Sequence, residues 1–348
     1  MRYVPMSMLE PGMILGQDVY DGGGRMLLAK HLILSPEYIK GLDDQGFPGV
    51  YIDDELSAGI EIHEVIRPEV KREALGIINS MFVRGKEEYV SQRSIENVAK
   101  GIVESVLDQG DVMFNLLDVK RYDDYTYFHS VNVGVLAAMV GAGMKLSETE
   151  LEQLTTAALL HDVGKRFIPV EVLNAKYPLN EEERKLMHTH AYAGMDFLRD
   201  KYSFSGYVHQ GVLQHHEWYN GQGYPLGRAG EGIPIFARII KLVDVYDAMT
   251  SNRPYRDAVP NGDVVEYMMA GNGQEFDPKV LETFLKKIAI YPVGAQIELS
   301  DGSQAVVVEN NTEMILRPKI RMIRTGKDVD LKEDADARHL IITKIIMS

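Results

Sequence analysis

The sequence predicts a multi-domain protein in which an all-α core is flanked by a small N-terminal α+β module and a C-terminal β-rich extension. Its 348 residues exceed what one hydrophobic core usually holds, so more than one folded unit is expected. Apolar residues recur every three or four positions through the middle of the chain, whereas short alternating segments broken by glycine lie at both ends. These changes of pattern divide the chain into residues 1–66, 67–118, 119–290 and 291–348.

Residues 1–66 predict short strands around one short helix. The segment MILGQDVYDGGGRMLLAK indicates two strands joined at the glycines of residues 22–24. In SPEYIKGLDDQG, Ser35 is a typical helix N-cap and Pro36 suits the first helical position. The segment GVYIDD predicts a further strand. We therefore expect an accessory α+β module, and its residues form no motif that identifies the signal it would sense.

Residues 67–118 predict connecting helices, REALGIINSMFV and SIENVAKGIVESVLDQ, each with one apolar face. These faces have two interpretations. They pack against the following domain, or they pair with a second copy of the chain and make the protein a homodimer. The sequence does not choose between the two.

Residues 119–290 predict the all-α core, and residues 291–348 return to strands. Helical periodicity runs through TYFHSVNVGVLAAMVGAGM, SETELEQLTTAALLHDVGK and PIFARIIKLVDVYDAMTS, with the turn-rich YNGQGYPLGRAGEG between the last two. After Pro292, the segment AQIELSDGSQAVVVENN predicts a hairpin that turns at residues 301–302.

Composition and charge narrow the class of protein. No run of about 18 apolar residues predicts a transmembrane helix, and the N-terminus lacks the apolar stretch of a signal peptide, so a cytoplasmic protein is expected. The net charge of −14 argues against DNA binding. A small anionic substrate remains compatible with it, because bound cations reverse the local field. With no cysteine in the chain, any metal must be held by imidazole and carboxylate groups.

The histidines indicate where such a metal would bind. Seven of the ten lie between residues 129 and 216, within the predicted helices, and five of these have contexts that suit ligation. His161 and Asp162 stand at the end of an apolar helix that Gly164 can terminate. Asp244 lies inside an apolar helix, where an unpaired carboxylate would be costly, and Asp247 shares its face. A single histidine or His-Asp pair is more often structural, and we treat His188 and His209 in that way; the ordered set points to a metal site.

That ordered set resembles the HD-GYP family, a branch of the HD-domain phosphohydrolases. The resemblance covers residues 119–290 and rests on YTYFHSVNV, LLHDVGK, HHEWYNGQGYP and DVYDAMTS followed by RPYR. It implies an HD-type catalytic core and a bacterial enzyme that hydrolyses cyclic di-GMP to linear pGpG, and in some members on to GMP. Two departures from the family pattern are Ala191, where proline often follows the histidine, and Asn220, where an acidic residue is usual. The loop around Asn220 is also a candidate contact for signalling partner proteins.

The resemblance implies a binuclear metal site in which Asp162 bridges two ions. Iron or manganese is implied, and zinc is not excluded. Members with a third metal carry glutamate one helical turn before the first histidine, and here that position is Tyr125, so two ions are expected. The metal ligands that the resemblance assigns are His129, His161, Asp162, His190, His215, His216 and Asp244.

The resemblance also assigns residues to catalysis and substrate binding. Asp162 and Lys165 are the catalytic residues, and Lys165 would also reach a phosphate oxygen. Two metals would share a water, lower its pKa to near neutrality and orient the phosphorus for in-line attack by the bridging hydroxide. The expected substrate-binding residues are Lys165, Gly223, Tyr224, Asp247 and Arg253. The Tyr224 ring would stack on guanine, and the Arg253 guanidinium would bind phosphate or a guanine edge.

Two alternatives to an active cyclic di-GMP phosphodiesterase stay open. The same pocket would serve a cyclic di-GMP receptor with negligible turnover, or an HD phosphohydrolase for another cyclic dinucleotide. The presence of every expected ligand favours an enzyme over a receptor, and the GYP and RPYR segments favour cyclic di-GMP over other dinucleotides.

Overall fold

A computed structural model describes residues 1–20, 26–62, 65–82, 90–108, 125–251, 259–287, 289–311 and 313–346. Its strands are β1 (Arg2–Pro5), β2 (Ile14–Leu15), β3 (Val19–Tyr20), β4 (Met26–Leu28), β5 (Gly49–Asp53), β6 (Gln296–Leu299), β7 (Gln304–Glu309), β8 (Lys319–Met322), β9 (Asp328–Asp330) and β10 (Ile342–Ile345). Its helices are α1 (Pro36–Asp44), α2 (Pro68–Phe82), α3 (Gln92–Asp108), α4 (Tyr125–Gly143), α5 (Glu148–Leu160), α6 (Val170–Leu173), α7 (Glu181–His188), α8 (His190–Lys201), α9 (Gly206–Gln214), α10 (Ile235–Thr250), α11 (Asn261–Ala270) and α12 (Pro278–Lys287). The predicted fold class, a helical core with strand-containing segments at both ends, is confirmed.

The N-terminal module contains the predicted strands and helix. Antiparallel strands in the order β1-β5-β2 form its sheet, and β3 pairs with β4 on either side of the predicted glycine turn, which lies outside the described residues. The Ser35 side chain accepts a hydrogen bond from the Tyr38 amide at 3.3 Å and so caps α1. Along β5 the side chains alternate: Val50 and Ile52 enter the module's own core, and Tyr51 faces the main core.

Helices α2 and α3 pack on the all-α core of the same chain. The buried face of α3 includes Ile95 and Ile102, each 0% exposed, and this helix contacts α4 and α5. Burial of this face against α4 and α5 satisfies the hydrophobic pattern within one chain. Pairing of residues 67–118 with a second copy stays a prediction.

The central helices are α4, α5, α9 and α10, which contact one another through apolar faces. Helix α4 is apolar around most of its circumference, and every described side chain from residue 128 to 141 is buried. The capping box formed by Ser147 and Glu150 fixes the start of α5. Because α5 ends at Leu160, the residues that follow it lie at the buried end of the helix rather than on its outer face.

The C-terminal strands form an antiparallel sheet in the order β10-β6-β7-β8-β9. The predicted hairpin joins β6 to β7, and Gly302 adopts a φ of 80° in its turn. Arg321 in β8 donates to the carbonyl oxygens of Leu56 and Ala58, and thereby joins this sheet to the N-terminal module. One hydrophobic core runs from the helices into this sheet, and the boundaries at 66, 118 and 290 stay predictions. Among the helices described, none has the length and apolar character needed to cross a membrane.

Candidate metal centre

The ends of several helices converge on one buried group of histidine and aspartate side chains. His129 lies within α4, His190 is the first residue of α8, and Asp244 lies within α10. Two pairs follow directly after helices: His161 and Asp162 after α5, and His215 and His216 after α9. The structure thus brings together all seven residues that the sequence predicted as metal ligands.

Asp162 lies between two sets of imidazole groups, with one carboxylate oxygen toward each. Its Oδ1 is 3.5 Å from Nε2 of His190 and 3.9 Å from Nε2 of His215. Its Oδ2 is 3.4 Å from Nε2 of His161 and 3.9 Å from Nε2 of His129. Potential ligand atoms that lie within 4.8 Å of one another form two groups: Asp162, His190, His215 and His216; and His129, His161 and Asp244.

Backbone carbonyls orient three of the imidazoles. Nδ1 of His161, His190 and His215 each lies 2.6 to 2.7 Å from the carbonyl oxygen three residues earlier. A carbonyl can only accept, so each Nδ1 carries the proton and each Nε2 presents a lone pair to the centre. Hydrogen bonds from the other ring nitrogen to a backbone carbonyl fix the orientation of histidine ligands in metal sites.

Asp247 orients His129. Its Oδ2 accepts a hydrogen bond from Nδ1 of His129 at 2.7 Å, and its Oδ1 accepts one from Nδ2 of Asn132 at 3.0 Å. The other ring nitrogen of His129 is 3.1 Å from Oδ1 of Asp244. Asp247 therefore orients the predicted ligand His129 through the ring nitrogen that lies away from Asp244. Substrate binding by Asp247 stays a prediction. Asn132, to which the sequence pattern assigns no role, lies three residues after His129 on a neighbouring part of α4.

The donor set fits a divalent cation. Nε2 of His161 and Oδ1 of Asp162 are buried and have no hydrogen-bond partner among the residues that the structure describes, which is costly unless another group satisfies them. Nε2 of His190 lies 3.3 Å from Nε2 of His215, and with both Nδ1 atoms protonated these are two lone pairs that face each other. A cation between such groups would satisfy all of them, and imidazole with carboxylate suits iron, manganese or zinc.

The charge states at neutral pH also suit metal binding. Burial lowers the pKa of His190 to about 4 and holds the pKa values of His215 and His216 well below the usual range. Burial alone would raise the pKa of Asp162, but Lys165 and His161 outweigh it and hold that pKa well below the usual value. These histidines are therefore neutral and Asp162 is ionised. Burial also opposes a charged His129, but the carboxylates beside it raise its pKa to about 9, so a bound cation would replace a proton there.

Lys165 lies in the short 3₁₀ segment Val163–Phe167 directly after the metal-ligand pair. Its ammonium forms an ion pair with Oδ2 of Asp162, and its side chain is 27% exposed. The Lys165 side chain therefore extends from the buried centre toward solvent. Its roles in catalysis and phosphate binding stay predictions.

Gly164 allows the 3₁₀ segment to approach α8. The preceding helix has already ended at Leu160, so the expectation that Gly164 terminates it is wrong. A Cβ at this position would lie 1.9 Å from the carbonyl oxygen of His190 and 2.6 Å from the amide nitrogen of Gly194. The sequence pattern could not reveal this contact, because it joins segments about 30 residues apart.

Replacement of Gly164 by alanine is therefore expected to destabilise the fold by about 3 kcal/mol, since two backbone segments must separate. Chemical denaturation would measure the free energy of unfolding. Gly76→Ala is the control: an added Cβ at Gly76 in α2 would meet no atom of the described residues within 4 Å, and helix propensity favours alanine there. Equal stability of the Gly164→Ala protein and wild type would contradict the close contact.

The loop that carries the GYP sequence folds back on the end of α9. A Cβ on Gly223 would lie 2.2 Å from the amide nitrogen of Trp218, so only glycine fits. The Tyr224 ring stacks on His188 and on His216, with centroid distances of 3.7 and 4.7 Å. Stacking of Tyr224 on guanine stays a prediction, as does substrate binding by Gly223.

The backbone N–H of Asn220 donates a hydrogen bond to the backbone carbonyl of Gln274 at 2.8 Å, and this bond attaches the GYP loop to the segment before α12. Tyr125 begins α4, four residues before His129, and the two-ion expectation based on it stays a prediction. Arg253 lies outside the described residues.

Comparison with known proteins agrees with this geometry. Residues 112–280 match the family described as "HD domain". Over 223 residues, or 64% of this chain and 54% of the relative, the sequence is 37% identical to the cyclic di-GMP phosphodiesterase PA4108 of Pseudomonas aeruginosa. It is 32% identical to the 3'3'-cGAMP-specific phosphodiesterase 2 of Vibrio cholerae over 51% of this chain and 34% of that protein. The chain thus spans about half the length of the first of these relatives and about a third of the second.

A solved structure shares the fold. Bd1817, an HDG"Y"P protein from Bdellovibrio bacteriovorus, superimposes with a TM-score of 0.50 over 81% of this chain and 97% of its own, at 16% sequence identity. The helical core with its buried histidine–aspartate centre therefore defines an HD domain. The GYP loop packs against that centre, and the match to the HD domain together with the similarity to PA4108 supports an HD-GYP domain in this part of the chain.

Proposed function

We propose that this protein is a metal-dependent phosphodiesterase that hydrolyses cyclic di-GMP to linear pGpG. The observation that carries the proposal is Asp162, whose two carboxylate oxygens face two separate sets of imidazole nitrogens. A carboxylate in that position suits a bridge between two cations. The similarity to PA4108 supports cyclic di-GMP as the substrate.

Two divalent ions, iron or manganese, would be held by the two groups of ligands. Asp162 is a member of the first group, and its Oδ2, 3.4 Å from Nε2 of His161, would reach the second ion as well. Bound there, they would supply positive charge to the phosphate and lower the pKa of a water molecule to near neutrality. The protein's own part is to fix the imidazoles through backbone carbonyls and Asp247, and to exclude water from a centre in which His161 is 0% exposed. In the overall reaction, a water oxygen bonds to phosphorus, one P–O ester bond breaks, and the released sugar oxygen takes up a proton.

The substrate is held from the open side of the centre. Lys165 is partly exposed beside Asp162, and its ammonium can shift toward a phosphate oxygen when the substrate enters. Arg253 is assigned to the other phosphate or to a guanine edge through its similarity to the RPYR segment of the family. Both assignments are part of the proposal.

A second substrate has specific support. The similarity to a 3'3'-cGAMP-specific phosphodiesterase favours a mixed cyclic dinucleotide as an alternative. Both substrates share the phosphodiester that the centre would cleave, so the choice between them depends on groups that contact the bases. A receptor that binds cyclic di-GMP without turnover is the third possibility.

The test is to reload metal-free protein with Fe²⁺ or Mn²⁺ without oxygen, measure ions per chain, and follow cyclic di-GMP and 3'3'-cGAMP by chromatography. We expect two ions per chain and pGpG as the product of the preferred substrate, cyclic di-GMP. Binding without turnover would support the receptor, and faster cleavage of 3'3'-cGAMP would support the second substrate. Three ions per chain would contradict the expectation from Tyr125.

A further inference from the structure

His216 lacks the hydrogen bond that orients the other candidate imidazole ligands. Nδ1 of His161, His190 and His215 donates to a backbone carbonyl, and Nδ1 of His129 donates to a carboxylate. Within the described part of the chain, neither ring nitrogen of His216 makes a hydrogen bond. Another interaction must therefore hold this ring if it is to present a nitrogen to a metal.

Apart from the adjacent candidate ligand His215, whose ring centroid is 4.0 Å away, the ring that packs most closely on His216 is that of Tyr224. The two rings are nearly parallel, with centroids 4.7 Å apart and an interplanar angle of 24°. The tyrosine ring is in turn stacked on His188 at 3.7 Å and 7°. Burial raises the pKa of Tyr224 far above neutrality, so its ring stays an uncharged phenol. An aromatic face at this distance limits rotation of the imidazole, as the carbonyl contact does for the other ligands.

Glu217 holds the loop that places Tyr224. Its side chain is 2% exposed, and its two carboxylate oxygens accept from the amides of Leu226 at 2.6 Å and Arg228 at 3.1 Å. Two hydrogen bonds to this one buried carboxylate tie the segment after Pro225 to the residue that follows the His215–His216 pair. The amide of Tyr224 also donates to the carbonyl of His216 at 3.3 Å. These hydrogen bonds hold the GYP loop against His216, the residue whose ring Tyr224 contacts.

We propose that Tyr224 and Glu217 are positioning residues for His216, and thus for the metal held by Asp162, His190, His215 and His216. Tyr224 orients the imidazole by stacking, and Glu217 fixes Tyr224 by closing the loop. The inference rests on the proposed function only in requiring that the centre bind metal. It gives the tyrosine of the GYP sequence a role in metal affinity that is separate from contact with guanine.

The test is a titration of metal-free full-length protein with Mn²⁺, without substrate, by calorimetry and equilibrium dialysis. Tyr224→Ala is expected to weaken one of the two sites by about 10-fold or more and leave the other unchanged. Tyr224→Phe keeps the ring and should restore wild-type binding. Glu217→Gln should weaken the same site less, because its amide offers one acceptor oxygen to two N–H groups. Tyr207→Ala, which removes a 66% exposed tyrosine of α9, is the control and should bind normally.

Trp218, the single tryptophan of the chain, gives a local signal for the loop because it follows Glu217 directly. Glu217→Gln should change its emission while the far-ultraviolet circular dichroism stays that of wild type. If Tyr224→Ala does not fold, Tyr224→Leu and Glu217→Gln carry the test. Wild-type Mn²⁺ affinity in folded Tyr224→Ala and Glu217→Gln proteins, with a raised KM for cyclic di-GMP, would overturn the inference in favour of substrate contact. Absence of hydrolysis by the wild type would overturn the proposed function alone, because the titration contains no substrate.

Discussion

Replacement of Asp162 by alanine is expected to remove metal binding and hydrolysis together. This carboxylate is 2% exposed and directs one oxygen to each set of imidazoles, so its loss takes a ligand from both proposed ions. The variant would also remove the carboxylate that offsets the positive charge of Lys165 beside the centre, and that charge repels a cation. Metal content by elemental analysis should fall from two ions per chain toward none, and turnover should fall by at least about 1000-fold.

The control for this variant is Asp196→Ala, which removes an aspartate whose side chain is 49% exposed on α8, the helix that begins with His190. Its metal content and turnover should match those of wild type. Full activity of the Asp162→Ala protein would contradict the binuclear assignment. Retention of one tightly bound ion with no turnover would show that Asp162 serves one metal only.

Replacement of Asp247 by alanine is expected to lower metal affinity by about 10- to 100-fold, the usual effect of losing a group that orients a histidine ligand. His129 would lose the acceptor that fixes its Nδ1, and Asn132 would lose the partner of its Nδ2. Turnover measured at saturating metal should recover in part, because the ligand itself is still present. Calorimetric titration with Mn²⁺ and kinetics at several metal concentrations would measure both effects.

Asp247→Asn separates positioning from substrate contact. Its amide oxygen can still accept from His129, and the amide of Asn132 can rotate to present its own oxygen, so most of the metal affinity should return. A matched control is Asp263→Ala, which removes an exposed aspartate of α11. Unchanged metal affinity with a raised KM in Asp247→Ala would contradict the positioning role and support the predicted substrate-binding role.

The sequence determined the fold class and the identity of the predicted ligands. Hydrophobic periodicity sets the helices, since an apolar face must be buried, and strand alternation with turn glycines sets the sheets at both ends. A buried aspartate in an apolar helix and clustered histidines can be read from residue type alone. Because the chain contains no cysteine, residue type also shows that any metal must be held by imidazole and carboxylate groups.

Only the tertiary structure decided which atoms each of those residues contacts, and therefore which role each can have. Asp162 is placed between two sets of imidazoles by helices distant in sequence, and Gly164 is required by a backbone contact with His190. Asn132 binds Asp247, 115 residues further along the chain, whereas Glu217 and Tyr224 contact Leu226 and His216 within one loop whose conformation no periodic pattern specifies. Local patterns report which face of a helix is buried, because burial repeats with the helical period. The atom that a side chain meets depends on packing between elements, and no local period records it.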